Sequence, residues 1–287
     1  MTAVPPMIDR LRDLAQGYDG FLLDLWGTLH DGRRLLPGAA ACLAALRRRG
    51  RVCLISNAQR RASRESARLA ALGVPADHYD GIVTAGEVCR ARLAGDLGPG
   101  GRRSFWYLGL EENAALLDGR RFRRAAAPEE ADLLLVCDPR SGMHDAAEYD
   151  GLLAPMLARG VPLVCPNPDR WSYWAGQRQA KPGAVAEHYA ALGGRVLWYG
   201  KPHPAIYHAA LGVLGVPAEQ VLALGDGLET DIAGAVGAGV ACCYIAGGSD
   251  AQERGLPAGT CPEPAVLQET MARLGVRPDA IVPSLRW

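Results

Sequence analysis

Phe21-Leu22-Leu23-Asp24-Leu25-Trp26-Gly27-Thr28-Leu29 is the stretch on which the reading of this chain turns. A short apolar run ends on a lone carboxylate, and a Gly-Thr turn follows at once. A run of this kind suits a strand buried on both faces of a parallel sheet. It would deliver Asp24 to the carboxyl edge of that sheet, where open α/β sheets bind their ligands. An acid there can serve as nucleophile, metal ligand or both. The alternative is an aspartate that ends a strand before a turn and has no chemical role, which is common.

Outward from this segment, the same kind of run recurs at 52–56, 81–84, 104–108, 132–137, 161–165, 195–199, 221–225 and 240–245. Between the runs lie Ala/Leu/Arg-rich stretches with helical character, among them 38–49, 60–72, 146–159, 182–192, 204–214 and 230–238. Such alternation predicts an α/β protein with parallel sheets covered by helices. Pro37-Gly38 and Gly50 bracket one helix, and Gly73 closes the next. A length of 287 residues favours two domains. Residues 95–103 and the arginine cluster at 118–130 read as exposed loops of a second α/β module. The stretch beyond about 250 reads as a surface wrap with one short helix near 264–274.

Composition excludes several functions. Basic and acidic residues balance at 31 each, so neither nucleic acid nor a membrane surface is an expected partner. No apolar run approaches the roughly 20 residues of a membrane span. Met1-Thr2-Ala3-Val4-Pro5-Pro6 carries no apolar signal core, which predicts a cytoplasmic protein. The eight cysteines show no Cys-x-x-Cys spacing, which argues against a zinc site, and Cys53, Cys137, Cys165, Cys242 and Cys243, in or beside apolar runs, read as reduced core residues. Lys181 and Lys201 are the only lysines among the 31 basic residues, so each carries more information than an arginine does.

Three further segments bear on chemistry. Val52-Cys53-Leu54-Ile55-Ser56-Asn57 ends a strand in a hydroxyl and an amide, suited to phosphate oxygens or simply to capping a helix. Trp198-Tyr199-Gly200-Lys201-Pro202-His203-Pro204 places a lysine just past a strand, between residues that fix the backbone; a surface lysine is the plain alternative. Val221-Leu222-Ala223-Leu224-Gly225-Asp226 ends a strand in Gly-Asp, and Asp231 follows five residues later at the expected start of a helix. Two carboxylates facing one cleft repel unless a cation or proton intervenes, and hard oxygen ligands favour magnesium.

Taken in order, the four segments resemble the four motifs of the haloacid dehalogenase superfamily: Asp-x-Asp-Gly-Thr, the Ser/Thr motif, the Lys motif and Gly-Asp-x-x-x-x-Asp. The long insert between Ser56 and Lys201, with Asn57, Asn167-Pro168-Asp169, Lys181-Pro182-Gly183-Ala184 and Gly200-Lys201-Pro202, resembles the class IIA branch of NagD-like and pyridoxal-phosphatase-like enzymes. The resemblance spans about 18–248. It implies a Rossmann-like parallel-sheet core at 1–85 and 180–287, with an inserted α/β cap of the C2 type at 86–179. It further implies a magnesium-dependent phosphatase of a small phosphorylated metabolite that works through an aspartyl-phosphate. Asp24 would be the nucleophile and Lys201 its charge partner. Asp24, the Trp26 backbone carbonyl, Asp226 and Asp231 would hold magnesium. Gly27, Thr28, Ser56, Asn57 and Asp169 would bind phosphate and substrate. Caps of this branch often dimerise, so a homodimer through the cap is also expected.

One position departs from the family pattern. Where its phosphatases carry a second aspartate as general acid, this chain has Trp26. Loss of general acid–base help costs typically 10²–10⁴-fold, so weak turnover of alkyl phosphates is expected, with acyl and aryl phosphates less affected. His30 is a conceivable substitute acid, or else a loop histidine facing solvent or the cap. Two other readings stay open: a non-catalytic protein of the same fold that binds a phosphorylated metabolite, and a haloacid dehalogenase, which also carries an aromatic residue at this position. Near the end of the insert, Arg170, Trp171, Tyr173 and Trp174 accompany Asp169. This aromatic group can stack on a ring or pack the cap. Asp138, His144, Arg60 and Arg61 are weaker candidates for substrate contact.

Overall fold

All nine apolar runs form strands. The computed structural model describes residues 5–117, 119, 121–138, 145–174, 177–257 and 259–287. Its strands, in chain order, are β1 Gly20–Asp24, β2 Arg51–Ser56, β3 Gly81–Thr84, β4 Arg103–Leu108, β5 Phe122–Arg124, β6 Leu133–Val136, β7 Leu163–Cys165, β8 Trp171–Trp174, β9 Gln177–Ala180, β10 Val196–Trp198, β11 Val221–Gly225, β12 Ala241–Ile245 and β13 Ala280–Val282. Two compact units share them. The first comprises Met1–Ser56, Ala62–Val83 and Lys201–Trp287; the second comprises Asn57–Arg61 and Thr84–Gly200.

The first unit is built on a six-stranded sheet of order β3-β2-β1-β11-β12-β13. β13, β12, β11, β1 and β2 run parallel. This is a doubly wound order, and its direction reverses between β1 and β11. Every residue of β1 and β11 is buried, which is why these strands read as continuous apolar runs. Phe21, Leu23, Leu54, Leu222, Leu224 and Ile245 pack with Leu43 and Leu46 of the helix Ala39–Arg49 in one core cluster. Full burial of each such side chain is worth roughly 1.5–3 kcal/mol. The helix ends in Arg47-Arg48-Arg49, where cations complement its dipole, and Gly50 follows. A Cβ at Gly50 would overlap the Asp19 carbonyl, so only glycine fits that position.

The second unit has its own parallel sheet, of order β10-β7-β6-β4-β5. Its core includes Leu134, Val136, Leu153, Met156, Leu163, Val185 and Tyr189. β8 and β9 form a separate antiparallel hairpin. Residues 180–200, grouped from the sequence with the first domain, contribute β10 to this sheet, where it pairs with β7. The arginine cluster read as a loop contains β5, the carboxyl-terminal wrap contains β13, and a further helix, Ala85–Gly95, follows β3 directly. Thr84 caps this helix by accepting the Glu87 N–H at 3.1 Å.

Both sheets start strands with one device. Asp80, Asp132 and Asp279 each stand just before a strand and accept, at 2.8 Å, the amide N–H of the second residue of the neighbouring strand, from Val52, Ser104 and Cys242. The Asp132 carboxyl is held below its ordinary range, chiefly by that Ser104 N–H.

All eight cysteines are free thiols, and all but Cys261 are buried. Burial pushes the Cys42 and Cys53 thiols up to about 12. No helix among the described residues is long and apolar enough to cross a membrane.

Candidate active site

The reversal of the first sheet assembles the site. Asp24 is the last residue of β1, and Asp226 follows the last residue of β11, the adjacent parallel strand. Asp231 lies in the single wide helical turn Leu228–Ile232, not at the start of a regular helix as expected. That turn folds its carboxylate back: Oδ2 accepts the Gly227 N–H at 3.1 Å. A Cβ at Gly225 would overlap the Asp231 side chain, so the glycine of Gly-Asp makes the approach possible.

Carboxylate oxygens of Asp24, Asp226 and Asp231 all lie within 4.8 Å of one another, and all three residues are buried. Lys201, only 3% exposed, enters this acidic cluster. Its Nζ donates to Asp24 Oδ1 and, at 2.8 Å, to Asp231 Oδ1. Burial alone would lower the Lys201 pKa, but Asp231 and Asp24 outweigh it and hold the ammonium firmly protonated. Burial pushes the Asp24 carboxyl up; Lys201 opposes the rise, and Asp231 and Asp226 add to it. Three carboxylates thus face one ammonium. A buried cluster with that excess of negative charge calls for one more cation or a proton. Its donors are hard oxygens, which suit magnesium rather than a soft metal.

Asp226 is held from two sides. Thr28 Oγ1 donates to its Oδ1 at 3.4 Å, and the Ser249 N–H and hydroxyl both donate to Oδ2 at 2.5 Å. Ser249 was not anticipated; it stands in Gly247-Gly248-Ser249 after β12, a combination that reads from sequence as an ordinary turn. Gly27 plays a different part from the one expected. Its amide, proposed to cradle phosphate, donates instead to the His30 carbonyl at 2.9 Å. What it contributes is clearance, because a Cβ there would overlap the Asp226 carboxylate. Ser56 ends β2 one residue past the register partner of Asp24 and is buried.

Trp26 is 55% exposed, the only member of the segment around Asp24 that faces solvent to this extent. The Arg68 guanidinium lies 6.0 Å from its ring centroid, and His30 meets it edge-on at 6.1 Å. His30 is no solvent-facing loop residue. It is 2% exposed, and its Nδ1 accepts the Gly32 N–H at 3.1 Å.

Asn57 and Asp169 belong to the second unit and bond to each other, Asn57 Nδ2 donating to Asp169 Oδ1 at 2.8 Å. Asp138 is paired with Lys181 there, and Arg61 with Glu87. His144 and the side chains of Tyr173 and Trp174 lie outside the described residues.

Family models described as haloacid dehalogenase-like hydrolase match residues 21–123 and 100–239, and a related HAD-hydrolase-like model matches 198–286. Chronophin of Mus musculus is 31% identical over 238 residues, which cover 77% of this chain and 78% of the relative. A haloacid dehalogenase-like hydrolase from Brucella suis 1330 superposes with a TM-score of 0.81 at 30% identity, covering 97% of this chain and 99% of that one. The glycerol phosphate phosphatase of Mycobacterium tuberculosis, solved in complex with magnesium, superposes with a TM-score of 0.65 at 28% identity, covering 82% and 70%.

Proposed function

Since the chain belongs to the haloacid dehalogenase superfamily, in its class IIA branch, and is a hydrolase of small phosphorylated metabolites, we propose that it transfers phosphate to Asp24 and then to water, with magnesium as its cation. The observation that carries this reading is the convergence of Asp24, Asp226 and Asp231 within 4.8 Å around Lys201.

Lys201 engages Asp24 Oδ1, and no hydrogen bond to Oδ2 occurs among the described residues. Attack is assigned to that second oxygen, Oδ2. A bond forms from Oδ2 to phosphorus while the bond from phosphorus to the ester oxygen breaks, and the leaving oxygen carries away the electron pair. Water then attacks the aspartyl-phosphate, releasing inorganic phosphate and restoring the carboxylate. The Lys201 ammonium offsets charge on the transferring group. Thr28 and Ser249 keep Asp226 oriented, as hydrogen-bonded outer partners do for metal ligands. Asp24, Asp226 and Asp231 would hold the magnesium, with the Trp26 carbonyl as a further oxygen ligand; when bound, it supplies positive charge that keeps Asp24 ionised and stabilises the phosphoryl oxygens. Ser56 supplies a hydroxyl for a phosphate oxygen, and in the second unit Asn57 and Asp169 are the substrate-binding candidates.

The indole at position 26 cannot give the leaving oxygen a proton. Esters whose alcohols leave as stable anions therefore turn over best, and alkyl phosphates slowly. Phosphate release from p-nitrophenyl phosphate, with and without magnesium, tests the reading. The native chain should be active only with the ion, and Asp24→Asn should lose at least about 10³-fold. Equal activity of Asp24→Asn would remove Asp24 as nucleophile. Halide release from 2-haloacids, measured in parallel, should stay at background.

A further inference from the structure

The second unit contains a switch point that this chemistry does not use. Its sheet order places β4, first of its strands in the chain, between the second (β5) and the third (β6). Direction therefore reverses between β4 and β6, which end level, with Leu108 opposite Val136. In doubly wound sheets that crevice, beyond the carboxyl ends of the strands, is where ligands bind.

A polar cluster is built at that spot around Asp138, two residues past β6. Asp138 Oδ1 accepts from Lys181 Nζ at 2.8 Å and from Gln59 Nε2 at 3.1 Å, and Oδ2 accepts from Asn113 Nδ2 at 2.8 Å. The Asp138 N–H returns a bond to Gln59 Oε1 at 2.9 Å. Gln59 and Asn113 are buried, whereas the Lys181 and Asp138 side chains are 23% and 22% exposed. Buried amides thus fix the carboxylate, the carboxylate fixes the ammonium, and the ammonium remains open to solvent. Lys181 spends one of its donors on Asp138; among the described residues its other donors have no partner.

Residue choice reinforces the geometry. Where this chain needs a plain surface ion pair it uses arginine, as in Arg34–Asp31, Arg61–Glu87 and Arg124–Glu111. Its only two lysines each bond to an aspartate at the carboxyl end of a strand that flanks a switch point, Lys201 to Asp24 and Lys181 to Asp138. An ammonium is a compact charge with rotatable donors, whereas a guanidinium is a rigid planar fork.

We propose that Lys181 and Asp138 bind a hydroxyl-rich ligand, a polyol or sugar moiety, with Lys181 Nζ donating to one hydroxyl oxygen and Asp138 Oδ2 accepting from its neighbour. The pair is neutral as a whole, so it favours groups that both give and take hydrogen bonds over a free anion. Two sources share this chemistry: the alcohol part of a phosphorylated substrate, and a free polyol acting as an effector. The first rests on the phosphatase reading; the second does not.

The test uses the full chain with Lys181→Arg and Lys181→Met, and thermal unfolding is recorded for each. Saturation-transfer NMR with glycerol, ribitol and ribose reads binding of the free polyol without any turnover. The native chain should show transfer, and both variants should lose it at least about fivefold, with the unfolding midpoint of Lys181→Arg unchanged. For a substrate source, Lys181→Arg raises KM for glycerol phosphate about tenfold and leaves p-nitrophenyl phosphate kinetics unaltered. For an effector source, polyol binding is lost while both sets of kinetic constants hold. The proposal is overturned if the native chain shows no polyol transfer and the two substrates respond alike. It is also overturned if Lys181→Arg binds polyol as well as the native chain. Should no phosphate ester turn over, the phosphatase reading fails and the NMR result still decides this one.

Discussion

The two parallel sheets solve the same problem with different degrees of burial. Each reverses its strand order, and each places an aspartate bonded to a lysine beside the reversal. In the first unit the Lys201 and Asp24 side chains are 4% and 6% exposed. In the second, Lys181 and Asp138 are about a quarter exposed and are backed by neutral amides. The difference teaches what each pair is built for. A buried pair with surplus acid has its charge balance dictated by whatever cation joins it. A partly exposed, balanced pair leaves ammonium donors facing solvent, which is what the proposed neutral ligand needs.

The hardest blow to this contrast comes from deleting each ammonium. Lys201→Met strands two buried carboxylates and should cost about 3–5 kcal/mol of stability together with nearly all turnover. Lys181→Met, at the more solvated pair, should cost no more than about 1 kcal/mol. Denaturant unfolding of the two variants measures both, and similar losses would erase the distinction.

Trp26→Asp sharpens the first site. Restoring a carboxyl there should raise turnover of alkyl phosphates by about 10²-fold and that of aryl phosphates far less. Steady-state kinetics on glycerol phosphate and p-nitrophenyl phosphate provide the ratio. Ser249→Ala removes one donor to Asp226 and should weaken magnesium about 10–100-fold. That loss reads as a higher magnesium concentration for half-maximal activity, with kcat little changed at saturating metal.

The smallest effect tests what the sheets share. Asp80→Ala and Asp132→Ala each leave an N–H in the second position of the neighbouring strand without its acceptor and should cost about 1–2 kcal/mol. Asp132 adds a pH signature. Its folded-state pKa is lowered, so its contribution is complete above the unfolded carboxyl value near 4 and is lost as pH falls through the folded value. Acid titration of stability should therefore be shallower in Asp132→Asn than in the native chain.

The same physics explains what sequence alone could reveal. Strands buried on both faces are continuous apolar runs, so β1, β2, β11 and β12 are legible, and the carboxylates that end them stand out. β5, with Phe122-Arg123-Arg124, and the hairpin strand Gln177–Ala180 lie at an edge or outside the main sheets and show no such run. The helix Ala85–Gly95 is hidden because it starts on the residue after β3, with Thr84 serving both. At the site, the acids and Lys201 could be read, but Ser249 could not, since a serine after two glycines is what any turn shows. The role of Gly27 was also illegible: it depends on the Asp226 carboxylate, which arrives from far along the chain. Gln59 and Asn113 escaped notice for the same reason, as amides acquire meaning only through the carboxylate they meet in the folded unit.

The concealed thiols have a practical consequence. Burial pushes every thiol up, Cys261 included, but seven are enclosed and only Cys261 is in reach of solvent, so an alkylating reagent applied to the folded chain should mark Cys261 first, and slowly. Each additional adduct then records a molecule that has opened, and the location of the adduct tells which unit opened first.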